Sequence, residues 1–150
     1  MAKGLRLLGH PVHAALSHFP LALLALAPLA DVAAWLLAVE DLWRAGYWCL
    51  VGGVVAAIPT AVSGLVDFAA FEQDNPAATP ATWHMMAMFT AVALSAAGLI
   101  LRRGSVPEGD SPVLVLVLEG LGAAAVLTGG WLGGELVYGH GVGLREQERR

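Results

Sequence analysis

The side chains of this sequence best suited to chemistry are five histidines. His10, His13 and His18 stand near the start, His84 near the middle and His140 near the end. Imidazole ligates metals and haem iron, and it titrates near neutral pH. Asp67 and Glu135 lie upstream of His84 and His140. Each is a possible oxygen ligand, or a hydrogen-bonding partner that fixes an imidazole tautomer. Cys49 is the only cysteine, which excludes an intrachain disulfide and a thiolate zinc site. Ser17, Ser63 and Ser95 have no motif pairing them with a base, so no hydrolase constellation is visible. Met85, Met86 and Met88 read as packing residues.

The elements that must position these groups follow from composition. Of 150 residues, 57% are apolar and only 13% charged, and the mean hydropathy is +0.68. Such a chain has too little polar surface to cover a water-soluble fold, so its solvent is largely lipid. The net charge is −4 without a basic stripe, which excludes nucleic acid as a partner. Four apolar segments, about 12–38, 46–70, 81–101 and 112–138, are each long enough to cross a bilayer. The gaps carry charges and turn formers: Glu40, Asp41 and Arg44, then Glu72 to Pro80, then Arg102 to Pro112. Hydrocarbon leaves no partner for unpaired backbone groups, so the segments are expected to be helices. Alternating ten-residue segments of a β-barrel are absent. The expected architecture is one all-α domain, a four-helix transmembrane bundle running up-down-up-down. The apolar run near the N-terminus reads as a retained first helix, kinked by Pro20 and Pro28. No internal repeat is visible.

Helix parity then places all five histidines, with Asp67 and Glu135, toward one membrane face. At about 100° per residue, His13 and His18 diverge by roughly 140° around the first helix, so both reach one centre only if Pro20 distorts it. His10 precedes Pro11 and reads as an interfacial cap. His84, Met88 and Ser95 share a face of the third helix; Gly133 and His140 share one of the fourth. Gly53, Ala57, Thr60, Gly64 and Asp67 follow 3/4 spacing, as do Gly122, Gly129 and Gly133. Gly129/Gly133 and Gly130/Gly134 form two overlapping G-x-x-x-G patterns. Such stripes bring helices close, make room for a flat cofactor, or join copies of the chain. Asp31 and Glu119 fall toward the opposite face, to pair with each other or with loop arginines. Trp35, Trp43, Tyr47 and Trp48 are expected to form an aromatic belt there, and Trp83, Trp131 and Tyr138 one on the histidine side. Lys3, Arg6, Arg145, Arg149 and Arg150 against Arg44, Arg102 and Arg103 favour cytoplasmic termini.

Several motifs resemble those of the bacterial membrane-protein family catalogued as domain of unknown function 2231. They are the stretch Gly9 to Pro20 (GHPVHAALSHFP), Gly64 to Phe68 (GLVDF), His84 opening a helix that ends at Leu101-Arg102-Arg103, and Gly130 to Gly143 (GWLGGELVYGHGVG). The likeness spans nearly the whole chain. It implies four helices and a bacterial inner membrane. Some relatives carry a Rieske-type iron–sulfur domain, which points toward electron transfer. The chain departs from the pattern at Ala14, often Pro; at Met88, often Asn; and at Gly139, often basic.

The leading expectation is a haem b protein passing electrons near one membrane face, with His13 or His18 and His84 as axial ligands and Asp67 behind them. An alternative is an iron, copper or zinc ion held by His13, His18, His84 and His140 with Asp67 or Glu135. A third is a non-catalytic subunit or scaffold. In each case the partners are the lipid bilayer, a redox protein or another copy of the chain.

Overall fold

The structure, a computed structural model, describes residues 4–71, 74–102, 104–107 and 111–144. Of the residues weighed above, Lys3, Glu72, Arg103, Arg145, Arg149 and Arg150 lie outside these. Four helices dominate: α1 (Val12–Leu37), α2 (Glu40–Ala69), α3 (Ala78–Arg102) and α4 (Ser111–Tyr138). All four are long and apolar enough to cross a membrane. Their outer faces expose large apolar side chains, among them Leu29, Ile58, Ile100 and Leu127. A water-soluble monomer would not present so much apolar surface, and lipid is the solvent that suits it. The chain is an all-α, four-helix, multi-pass membrane protein.

Helix α2 begins six residues earlier than expected, and α3 three residues earlier. Glu40 and Asp41 belong to the first turn of α2, where their charges complement the helix dipole. Arg44 bonds back to Asp41 at 2.7 Å and also pairs with Glu40, so the charged gap is the helix's own N-terminus. Only Ala38 and Val39 then separate α1 from α2. Ala38 closes α1 in the left-handed conformation, φ 54°. Ahead of α1, the two-residue strands β1 (Arg6–Leu7) and β2 (His10–Pro11) form a hairpin. Leu8 and Gly9 make its turn, both at positive φ, as two-residue hairpin turns require. Pro11 therefore occupies the N-cap of α1, and His10 lies in a strand rather than capping the helix. Assigned helix runs unbroken through Pro20 and Pro28 in α1 and Pro59 in α2.

The bundle is built of two helical hairpins, α1/α2 and α3/α4, packed closely within and more loosely against each other. Leu24, Ala27, Leu50, Ala91 and Val126 form the centre of the core. The two hairpins repeat one packing plan that the sequence hides. Moving 71 residues along takes His13 to His84, Pro20 to Ala91, Leu24 to Ser95, Ala27 to Gly98 and Asp31 to Arg102. Moving 69 residues takes Gly53 to Gly122, Ala57 to Val126, Thr60 to Gly129 and Gly64 to Gly133. Leu24 packs on Gly53 as Ser95 packs on Gly122, and His13 lies on Gly64 as His84 lies on Gly133. Few of these pairs are identical in type, which is why the repeat escapes a reading of the sequence. As in parallel structural repeats of other membrane proteins, each equivalent pair belongs to one depth of the bundle.

Candidate functional site

At the histidine end, the repeat sets two imidazoles against each other. His13 stands in the first turn of α1 and His84 in the second turn of α3, one from each hairpin. Their ring centroids are 6.2 Å apart with planes at 89°. Each ring is anchored to its own hairpin in the same way. His13 Nδ1 lies 2.9 Å from the Thr60 carbonyl, and His84 Nδ1 lies 2.8 Å from the Gly129 carbonyl. A carbonyl oxygen can only accept, so Nδ1 carries the proton in both rings. Nε2 is then the basic nitrogen of each neutral imidazole. This is how metal-ligating histidines are commonly oriented, with the outer nitrogen donating to a carbonyl.

Glycine makes the arrangement possible. A Cβ at Gly64 would stand 2.8 Å from both Cε1 and Nδ1 of His13, and one at Gly133 would stand 3.3 Å from Cε1 of His84. Met88 fills the space over Gly129, where a Cβ would meet its Cγ at 3.1 Å. At these positions the small-residue stripes make room for side chains of the neighbouring helix.

The other expected ligands are placed elsewhere. His18 is exposed on the far side of α1, with Nδ1 3.3 Å from its own helix at the Ala15 carbonyl. The wheel divergence from His13 thus persists through Pro20. His10 is exposed, with Nδ1 3.2 Å from the Leu8 carbonyl. His140 follows α4, with Nδ1 3.3 Å from the Glu135 carbonyl, and the Glu135 side chain is exposed. Asp67 secures the N-terminal segment instead: its Oδ1 accepts the Leu5 amide at 2.6 Å. Arg6 then ties the hairpin to the far terminus by donating to the Gly9 and Gly143 carbonyls at 3.0 and 2.7 Å. Among the described residues, no three of His, Cys, Asp or Glu gather as a group that could hold a metal ion.

The opposite end holds a cluster of which sequence reasoning saw only parts. Arg102, the last residue of α3, has a fully buried side chain, as do Asp31 of α1 and Glu119 of α4. Arg102 Nη1 lies 2.5 Å from Asp31 Oδ2 and 3.3 Å from Glu119 Oε1. Its Nη2 donates to Asp31 Oδ1 at 3.3 Å and to the carbonyls of Trp43 and Ser105 at 2.7 and 3.0 Å. The guanidinium also lies 5.7 Å from the Trp43 ring centre and 5.8 Å from that of Tyr47. The expected pairing of Asp31 and Glu119 with an arginine is present, but Arg102 is helical and internal rather than in a loop. Trp43 is buried over it and leaves the aromatic belt, whereas Trp35 and Trp48 remain exposed. On the histidine side, Trp83, Trp131 and Tyr138 are exposed as expected. Three ionisable residues near the ends of separate apolar segments were the available signal.

No curated protein and no solved structure matches the chain. A family model described as predicted membrane protein (DUF2231) matches residues 9–146, which include all four helices, both histidines of the pair and the buried cluster. The chain therefore belongs to that family of membrane proteins, the one its histidine and glycine motifs resemble.

Proposed function

We propose that this protein binds haem b between its two helical hairpins, with His13 and His84 as axial ligands, and transfers electrons near one membrane face. The observation that carries the reading is the facing pair of anchored imidazoles, 6.2 Å apart between ring centroids. Two imidazoles bonded to one metal at about 2 Å each would set their ring centroids roughly 6 Å apart. The donor count favours haem over a bare ion. A porphyrin brings four nitrogens and needs only two axial residues, whereas a structural zinc site takes four protein ligands and a catalytic one three. The looser seam between the hairpins is where a flat ring would enter. Bound there, the iron would supply a one-electron couple. The protein would contribute the two ligands, their tautomers and an apolar surround that tunes the potential.

The proposal includes a bacterial inner membrane as the location, with the termini and histidine layer on the cytoplasmic side, where a redox partner protein would dock. Burial of Arg102 in an ion cluster removes one basic residue from the opposite flank and strengthens that orientation. Glycines facing away from the bundle leave homo-oligomerisation open to test. An absorption spectrum of the purified protein tests the proposal. A Soret band with sharp α and β bands on reduction is expected, lost in H13A and in H84A but retained in H10A, H18A and H140A. Stoichiometric iron, copper or zinc without a Soret band would replace haem by a bare ion. A colourless, metal-free protein whose H13A and H84A variants alter only assembly would make the histidines interhelical bonds of a scaffold.

A further inference from the structure

We propose that the buried cluster at the far end of the bundle binds one monovalent cation, a proton or a sodium ion, on Glu119. Asp31, Arg102 and Glu119 have no exposed side-chain surface, and when all are ionised their charges leave one negative charge over. An uncompensated charge surrounded by protein and hydrocarbon is strongly disfavoured. α1 brings Asp31; α2 brings Tyr47, the Trp43 carbonyl and, on the side toward Asp31, Cys49; α3 brings Arg102; α4 brings Glu119. Among the described residues that meet the cluster, Arg102 alone is positively charged.

Hydrogen bonding shows which group carries the surplus. Both oxygens of Asp31 are engaged by Arg102, one of them at 2.5 Å. Arg102 holds Glu119 at one oxygen only, Oε1, at 3.3 Å, and the Glu119 carboxyl lies against that of Asp31. The other Glu119 oxygen, Oε2, is buried without a hydrogen-bond partner, and so is Arg102 Nε. The fold also reserves space for these acids. A Cβ at Gly46 would lie 2.6 Å from Asp31 Cγ, and one at Gly98 would lie 3.5 Å from Glu119 Cγ. A proton on Oε2, or a sodium ion against it, removes the surplus charge. The cluster lies about 27 Å along α1 from His13, taken as 18 residues at 1.5 Å each, so it is a site separate from the imidazole pair.

The experiment measures unfolding of full-length wild type and E119Q in detergent micelles, over a pH series and with sodium exchanged for choline. Glutamine copies the shape of the carboxyl without its charge. If the cation is a proton, the wild-type folding constant falls tenfold per pH unit over the range in which the folded state still holds the proton and the unfolded chain has lost it, and it levels off once the folded state releases it. If it is sodium, the constant rises tenfold for each tenfold rise in sodium at saturation. E119Q abolishes either dependence and is at least as stable as wild type at alkaline pH without sodium. Should E119Q not fold, the infrared carbonyl stretch of a protonated carboxyl, assigned by isotope-labelled glutamate, or sodium retained after dialysis, decides on wild type alone. A wild type whose stability is flat in both pH and sodium, with neither the infrared band nor retained sodium, overturns the proposal.

Discussion

Replacing Gly64 by alanine tests the packing that seats His13. The added Cβ would stand 2.8 Å from Cε1 and Nδ1 of the imidazole, well inside van der Waals contact. The ring cannot simply swing aside, because its Nδ1–H bond to the Thr60 carbonyl, 2.9 Å long, ties it to the same stretch of α2. Overpacking of this kind costs about 1–3 kcal/mol, and stretching the hydrogen bond adds about 1 kcal/mol. The helix propensity of alanine over glycine returns at most about 1 kcal/mol, so the net loss is about 2 kcal/mol. Gly133→Ala meets the His84 ring at 3.3 Å, which a shift of a few tenths of an ångström relieves, and is expected to be close to neutral. Gly134→Ala has nothing within 4 Å and serves as the control. Unfolding by SDS in mixed micelles, followed by tryptophan fluorescence, should rank Gly134→Ala and Gly133→Ala near wild type and Gly64→Ala well below. If Gly64→Ala were as stable as Gly134→Ala, the close seat of His13 on α2 would be wrong, and the anchored imidazole pair with it.

Arg102→Met should lose roughly 3–5 kcal/mol in the same assay, because it leaves the buried Asp31 carboxylate without its cation. Arg44→Ala, which breaks a half-exposed pair, should change stability by less than about 1 kcal/mol. Ala38→Gly should stabilise the protein by about 1 kcal/mol, read as a raised unfolding midpoint, since residue 38 sits at φ 54° where glycine bears no Cβ penalty. Asp67→Ala should speed hydrogen exchange at the Leu5 amide while leaving amides in the middle of α2 unchanged, because that amide donates to the Asp67 carboxylate.

Much of the fold was legible because lipid imposes a simple rule. Apolar segments of sufficient length must be helices, and short connections must make them antiparallel. That rule yields four helices, their order and the face on which every histidine begins. It misjudged the start of α2, because Glu40 and Asp41 look like loop residues unless they are recognised as a charged first turn. Wheel geometry separated His13 from His18 but could not say which one faces inward, since both flanking faces of α1 are apolar.

Only the tertiary structure decided the partners. Selecting His13 and His84 from five histidines depends on how the two hairpins seat against each other. Within each hairpin, glycines at 64 and 133 make room for the imidazole that the neighbouring helix brings to that meeting. The same holds for the repeat, which is carried by equivalent contacts more than by equivalent residue types, and for Arg102, which closes a charge cluster with residues of two other helices. Hydropathy and spacing are properties of one segment at a time, so the sequence alone determined the helices and their sidedness. Which side chains meet is a property of surfaces from different segments packed together, and only the assembled bundle determines it.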